Sequence, residues 1–195
     1  MSNELRGKRV AALVEQGFEQ SELDEPRQAL EAAGATVHVV SPQSGKVLGW
    51  ERKHWGHEVS VDRPLEAASA DDYNALLLPG GVMSPDRLRT NHQAIAFVKA
   101  FVDAGKPIAS ICHGPWTLIE AGAVEGRTVT SWPSLRTDLS NAGAHWVDQE
   151  VVNDNGLVTS RKPDDIPAFN RTMIEEFAEV RDSRDRRELT GAARR

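Results

Sequence analysis

The sequence contains a single cysteine, no excess of positive charge and no long apolar stretch, and each shortage excludes a class of protein. Cys112 is the only cysteine among 195 residues, so an intramolecular disulfide is excluded. A formal net charge of -6 argues against a surface for nucleic acid or for anionic membranes. The chain also lacks an apolar stretch long enough to span a bilayer, and its first residues show no apolar signal core. We therefore expect a cytoplasmic protein whose lone thiol stays reduced.

Metal ligands are equally sparse. The six histidines are scattered, and only His54 and His57 are closely spaced. Neither a cysteine nor a second pair of ligands lies nearby to complete a zinc shell. We expect no metal and no cofactor, and we expect small molecules or other proteins as partners.

The remaining composition is that of a globular domain, with 39% hydrophobic and 27% charged residues. We expect one domain over residues 1–180, followed by a charged tail over residues 181–195. Short apolar runs predict strands, and segments with helical spacing predict helices between them. The predicted strands cover residues 8–14, 36–40, 75–78, 108–111 and 128–131, with hairpins over 45–62 and 151–160. Helices are predicted from Ser21, over 93–102, 116–121 and 134–142, and after Pro163, with a loop around residues 82–92.

This alternation predicts an α/β fold in three layers, with a mostly parallel central sheet and helices on both faces. In such sheets ligands bind outside the carboxyl ends of the strands. The loops that follow the first, third and fourth predicted strands are therefore the places to search for a site.

The fourth of these strands runs directly into Cys112, and His113, Gly114 and Pro115 open the next helix. This is the outline of a nucleophile elbow, in which a sharp strand-to-helix turn exposes the side chain at its tip. The start of a helix should favour the thiolate. Most lone cysteines are small buried hydrophobic residues, but this position favours a nucleophile. The ring of His113 acts either as the base or as a spectator whose backbone N–H matters more.

Two further loops should meet the elbow if the three strands are neighbours in the sheet. Glu19 and Glu22 would then face the thiol, with one of them protonated beside it, since like charges raise one pKa. The backbone N–H groups of Gly81 and His113 would form an oxyanion pocket after the Gly80-Gly81 turn. Taken singly, the glycines could be only a tight turn and the acids only solvated first-turn residues.

The hairpin predicted over residues 45–62 carries Trp50 and Trp55. Aromatic residues are common both at interfaces and in cores. The two indole rings therefore either form an interface or pack back onto the domain, and the sequence leaves both alternatives open.

Four motifs together resemble the ThiJ/PfpI superfamily, specifically its PfpI-like intracellular protease branch, from Val10 to Phe177. They are Leu77-Leu78-Pro79-Gly80-Gly81, Ala109-Ser110-Ile111-Cys112-His113-Gly114-Pro115, Asn141-Ala142-Gly143-Ala144 and Val158-Thr159-Ser160-Arg161-Lys162-Pro163-Asp164-Asp165. The resemblance implies a flavodoxin-like domain, similar to class I glutamine amidotransferases, and a homodimer that sometimes builds larger rings. It also implies that Cys112 is the nucleophile, that Glu22 is the acid bonded to it, and that Gly81 and His113 form the backbone anion site.

The resemblance implies three functions. The leading hypothesis is a stress-protection hydrolase or lyase of the glyoxalase or deglycase type, in which Cys112 attacks methylglyoxal or its adducts. The second is an intracellular cysteine peptidase, in which Asp86 of a neighbouring subunit engages His113; Asp86 is shorter than the glutamate of the family and follows a loop one residue longer. The third is a redox-sensing or chaperone dimer without enzymatic activity, in which the accessible thiol is oxidised.

Overall fold

A computed structural model describes residues 4–179, and a seven-stranded sheet lies at its centre. Its order is β10-β11-β7-β6-β1-β2-β5, and every neighbouring pair is parallel except β10 with β11. Within the described residues the strands are β1 (Arg9–Leu13), β2 (Thr36–Ser41), β3 (Lys46–Glu51), β4 (His54–Ser60), β5 (Arg63–Pro64), β6 (Ala75–Leu78), β7 (Ile108–Ile111), β8 (Thr128–Val129), β9 (His145–Trp146), β10 (Val151–Asp154) and β11 (Leu157–Ser160).

Helices cover both faces of this sheet. They are α1 (Gln20–Ala32), α2 (Met83–Arg89), α3 (His92–Asp103), α4 (Pro115–Glu120), α5 (Arg136–Asn141) and α6 (Ile166–Ala178). Leu23 of α1 and Phe169 of α6 belong to one buried core, and Phe101 of α3 and Leu118 of α4 belong to the other. The predicted three-layer α/β sandwich with a mostly parallel sheet is confirmed.

The pleat of the strands explains the two cores. Successive side chains of a strand point to opposite faces. In β1, Val10 and Ala12 join the core beneath α1 and α6, whereas Ala11 and Leu13 join the core beneath α3 and α4. A strand buried on both faces has to be apolar throughout, which is the uninterrupted pattern that identified it in the sequence.

Strands β3 and β4 form the predicted hairpin, which stands apart from the main sheet. Its backbone is tied to the site edge, because the Trp50 N–H donates to the Phe18 carbonyl and the Gly17 N–H donates to the Leu48 carbonyl. The hairpin therefore forms one wall beside the loop that leaves β1.

Three local predictions were wrong. Residues 83–89 form helix α2 instead of a loop, because Pro85 occupies the first turn, where its missing N–H costs nothing, and Leu88 is buried. Helix α1 begins at Gln20, before Ser21, and contains Pro26 in its interior. Only Thr128–Val129 of the fifth predicted strand forms a strand, and it pairs with β9 in a separate small sheet. The predicted tail over residues 181–195 lies outside the described residues.

Candidate active site

Cys112 lies in the turn between β7 and α4 with a φ of 62°. This left-handed conformation costs a residue with a side chain about 1–2 kcal/mol. The turn is held by its backbone, because the Cys112 N–H donates to the Ser160 carbonyl at 3.0 Å and the Cys112 carbonyl accepts from the Trp132 N–H at 3.0 Å. A Cβ on Gly114 would lie only 2.5 Å from the Leu78 carbonyl oxygen. The backbone geometry is therefore that of a nucleophile elbow.

The three loops identified in the sequence meet at this elbow, because β1, β6 and β7 are adjacent in the sheet. The Glu19 N–H donates to the Gly80 carbonyl at 3.1 Å, which joins the first loop to the second. At Gly81, where φ is 78°, a Cβ would lie 2.6 Å from the Glu19 nitrogen. A cleft of about 450 Å³ opens onto Cys112 between these loops. Its volume is that of a small-molecule site.

Glu22 lies in the first turn of α1, lines this cleft and is fully buried. Its Oε2 accepts a hydrogen bond of 2.9 Å from the Gly80 N–H, and its Oε1 has no hydrogen-bond partner among residues 4–179. Burial raises the pKa of Glu22 from 4.5 to about 8, and the nearby charge of Glu19 contributes. At pH 7 most molecules then hold a neutral carboxylic acid here. The site therefore contains a buried O–H donor.

The thiol of Cys112 is adjacent to that acid and is 7% exposed. Burial raises the pKa of Cys112 well above its ordinary value, and an ionised Glu22 would raise it further. The backbone N–H groups of Gly81 and His113 point at the sulfur and lower the pKa. The cost of burial therefore exceeds the stabilisation of the thiolate by these donors.

The ring of His113 contacts the sulfur, with Nδ1 3.2 Å from Cys112 Sγ. Neighbouring side chains usually diverge, but the left-handed backbone of Cys112 brings these two together. Burial lowers the pKa of His113 to about 4, so the ring is neutral at pH 7. The pair is therefore a hydrogen-bonded contact between neutral groups and not a thiolate–imidazolium ion pair.

Two indole rings hold the imidazole of His113 in place. Trp132 stacks on it with ring centres 6.1 Å apart, and Trp116 meets it edge to face at 5.0 Å. The second ring nitrogen, Nε2, lies 3.4 Å from the hydroxyl oxygen of Ser134. Each nitrogen of the ring thus has one side-chain neighbour of its own.

The supporting residues predicted from the sequence lie in different places. Glu19 lines the cleft, where burial raises its pKa while the backbone N–H of Arg52 opposes that change. Asp86 is exposed on α2, outside the residues that line the cleft. Trp50 lines the cleft and packs edge to face against Trp55, with ring centres 5.4 Å apart. Trp55 itself is 49% exposed. Of the two indole rings, Trp50 therefore lies against the domain, whereas Trp55 is exposed.

Three residues of the site were missed in the sequence. Trp132 directly follows a predicted strand, and this position at the sheet edge is the signal that could have identified it. Ser134 was assigned only to a helix, although it contacts His113. Arg52 occupies the tip of the hairpin with a φ of 56° and lines the cleft, and nothing in its sequence context indicates this.

Neither a metal nor a membrane is indicated in the described part of the chain. Over residues 4–179 no group of three or more histidine, cysteine or acidic side chains is arranged to hold a metal ion. Within the same range the helices are too short or too polar to cross a membrane.

Comparison with known proteins places this geometry in a family. The DJ-1/PfpI family matches residues 8–176. General stress protein 18 of Bacillus subtilis is 46% identical over 169 residues, which are 86% of this chain and 96% of that protein. A deglycase of Thermococcus kodakarensis is 43% identical over 166 residues, covering 85% of this chain and 97% of the relative.

Solved structures agree with this match. The crystal structure of DJ-1beta from Drosophila melanogaster superposes with a TM-score of 0.79 at 27% identity. The superposition covers 91% of this chain and 91% of that chain. The likeness therefore extends over most of the length of both chains.

Proposed function

The chain belongs to the DJ-1/PfpI family, and on this basis we propose that it is a stress-protection enzyme in which Cys112 attacks reactive carbonyl compounds. The substrates are small 2-oxoaldehydes such as methylglyoxal, or their adducts with amines. Relatives named as a general stress protein and as a deglycase support this class of function. A cytoplasmic location completes the proposal, because a reducing compartment keeps a lone thiol reduced.

The proposal rests on one observation: several hydrogen-bond donors surround the sulfur atom of Cys112. The backbone N–H groups of Gly81 and His113 point at Cys112, and the neutral acid of Glu22 lies beside it. Donors fixed in a water-poor site stabilise negative charge more strongly than they would in water. The same donors serve first the thiolate and then the oxygen that becomes negative when a carbonyl is attacked.

The reaction depends on which group, Glu22 or the substrate, holds the proton at each step. The thiol of Cys112 first releases its proton to water; the thiolate then forms a bond to the aldehyde carbon, and the electron pair of the C=O bond moves to oxygen. Glu22 transfers its proton to that oxygen, which gives a neutral hemithioacetal and a glutamate carboxylate. The buried carboxylate is then a strong base, and it takes a proton from the adduct in the following step. One carboxyl group thus acts as acid and then as base.

The size of the cleft supports small substrates. Its volume of about 450 Å³ accommodates a three-carbon aldehyde together with part of an attached amine. Trp50 and Trp132 provide apolar walls, and Arg52 provides a cationic side chain at the mouth. An extended peptide needs a longer groove, so turnover of peptides is the less favoured outcome.

A homodimer is part of the proposal. Val82, 54% exposed, and Trp55 are large apolar side chains beside the cleft, and such residues are commonly covered in an assembly. Light scattering on the purified protein should give about twice the mass of 21.4 kDa; a monomer at micromolar concentration would contradict this part of the proposal.

The decisive experiment compares wild type with Cys112→Ala and Cys112→Ser on methylglyoxal and on fluorogenic peptides. Both substitutions should lower the methylglyoxal rate by at least about a thousandfold, because the nucleophile is lost. Ser140→Ala, an exposed position on α5, is the control and should behave as wild type. Full turnover by Cys112→Ala would refute the proposal, and turnover of peptides alone would favour the peptidase. If neither substrate reacts while mild peroxide adds oxygen only to Cys112, the protein is a redox sensor.

A further inference from the structure

We propose that Ser134 is a positioning residue for His113: its hydroxyl donates to Nε2 and thereby holds the N–H on Nδ1, which faces the sulfur of Cys112. The inference rests on the proposed function, and it assigns the third member of the cysteine–histidine pair to the same chain.

The orientation of the imidazole limits which polar groups its two nitrogens can contact. Trp132 stacks against the ring and Trp116 meets it at an angle of 66°, and the polar side chains that contact the ring lie at its two nitrogens. Along one edge Nδ1 is 3.2 Å from Cys112 Sγ, and along the other Nε2 is 3.4 Å from Ser134 Oγ. A neutral imidazole carries one proton, so one nitrogen donates and the other accepts.

The surroundings of the sulfur decide which nitrogen donates. The backbone N–H groups of Gly81 and His113 already point at Cys112, so the site is arranged as a set of donors around an acceptor. A third donor, the N–H on Nδ1, stabilises the thiolate once the thiol has ionised, whereas an Nδ1 lone pair would repel that charge. With the proton on Nδ1, Nε2 needs a donor, and the hydroxyl of Ser134 can rotate to supply one.

A serine fits this task better than a carboxylate in this environment. A carboxylate beside Nε2 would favour the imidazolium, whereas the ring is buried among indoles where its neutral form is preferred. A hydroxyl selects the tautomer without adding charge.

The first test measures the tautomer directly. Nitrogen-15 NMR of the protein labelled at histidine, with His113 assigned by comparison with His113→Gln, should show the proton on Nδ1 in the wild type. Ser134→Ala should lose this preference and give a mixture of the two tautomers. Ser134→Thr keeps a hydroxyl and should restore the wild-type spectrum.

The second test uses the only thiol of the chain. The rate of alkylation of Cys112 by iodoacetamide reports its thiolate as a function of pH. The titratable side chains that face the sulfur are Glu22 and His113, with Glu19 next to Glu22. Ser134→Ala should raise the midpoint of the alkylation profile by about 0.5 to 1 pH unit and slow alkylation at pH 7 about three- to tenfold. Ser140→Ala, exposed on the helix that follows, is the matched control and should not change the profile.

Each outcome has one meaning. A shifted midpoint and a mixed tautomer in Ser134→Ala, both restored by threonine, support the positioning role. An unchanged tautomer and midpoint would overturn it, and so would a change that threonine does not restore, because the effect would then not come from the hydroxyl. Neither measurement needs turnover, so a protein inactive on methylglyoxal would refute the proposed function while leaving this inference testable.

Discussion

Replacing Glu22 with glutamine should change how the stability of the protein depends on pH. Glutamine has nearly the shape of glutamate, retains an oxygen to accept from the Gly80 N–H, and does not ionise. The substitution therefore keeps the 2.9 Å contact and removes only the titration of the buried acid. Glu25→Gln, an exposed position on the same helix, is the matched control.

The magnitude follows from the pKa of Glu22. Burial raises it from 4.5 to about 8, and a difference of that size corresponds to about 5 kcal/mol against ionisation in the folded state. The unfolded chain releases this proton above pH 4.5, whereas the folded chain keeps it up to about pH 8. The folded state thus binds more protons between these values, so Glu22 makes the free energy of unfolding fall as the pH rises.

The assay is urea denaturation of wild type and both variants at several values between pH 5 and pH 8.5. The difference between wild type and Glu22→Gln isolates the acid, because His113 is present in both proteins. Burial lowers the pKa of His113 to about 4, so its own effect removes stability as the pH falls below 6.5. Glu22→Gln should gain up to about 5 kcal/mol relative to wild type across this range.

Parallel stability curves for wild type and Glu22→Gln would refute the reasoning. A difference that changes by less than about 1 kcal/mol would mean that Glu22 ionises freely in the folded protein. The neutral donor assigned to it in the reaction would then not exist at pH 7. Glu25→Gln should follow wild type throughout, which excludes a general effect of net charge.

Two further predictions concern the walls of the cleft. Gly80→Ala should destabilise the fold by about 1–3 kcal/mol in urea denaturation, because its Cβ would lie 2.6 Å from Glu22 Oε2 and 2.7 Å from Cys112 Cβ. Gly126→Ala, with no atom within 4 Å of its Cβ, is its control and should lose only about 1 kcal/mol from its positive φ; equal losses would contradict the steric argument. Trp132→Ala should uncover His113, and an NMR titration should show the pKa of His113 rising from about 4 toward 6.5. Trp55→Ala, on the far side of the Trp50 ring, should leave that titration unchanged, and an unchanged pKa in Trp132→Ala would show that the indole does not keep water away.

The sequence predicted the meeting of Glu22, Gly80 and Cys112 because this contact depends only on topology. Alternation of strands and helices predicts a parallel sheet, and the carboxyl ends of neighbouring parallel strands share one edge. Contacts between residues 58 positions apart in the chain, such as the Gly80 N–H with Glu22, therefore follow from the order of the strands.

Contacts that depend on a single dihedral angle could not be predicted in this way. The approach of His113 to the sulfur requires the φ of 62° at Cys112, and hydrophobic periodicity carries no information about one residue's backbone. Helix α2 was missed for a related reason. Pro85 is typical of loops, and only its position in the first turn makes it compatible with a helix.

Two features that lower the stability of the fold lie together in one cleft, and this argues for chemistry there. Cys112 adopts a conformation that glycine would adopt without strain, and Glu22 is an ionisable side chain where glutamine would satisfy the same N–H. In a chain selected for stability alone, a single substitution at Cys112 would remove the strain and another at Glu22 would remove the buried acid. Strained backbone and buried titratable groups persist together where a reaction needs them. Cys112, with its strained backbone, and the neutral acid of Glu22 lie at one sheet edge. Together they support a nucleophile with its proton donor more strongly than either residue does alone.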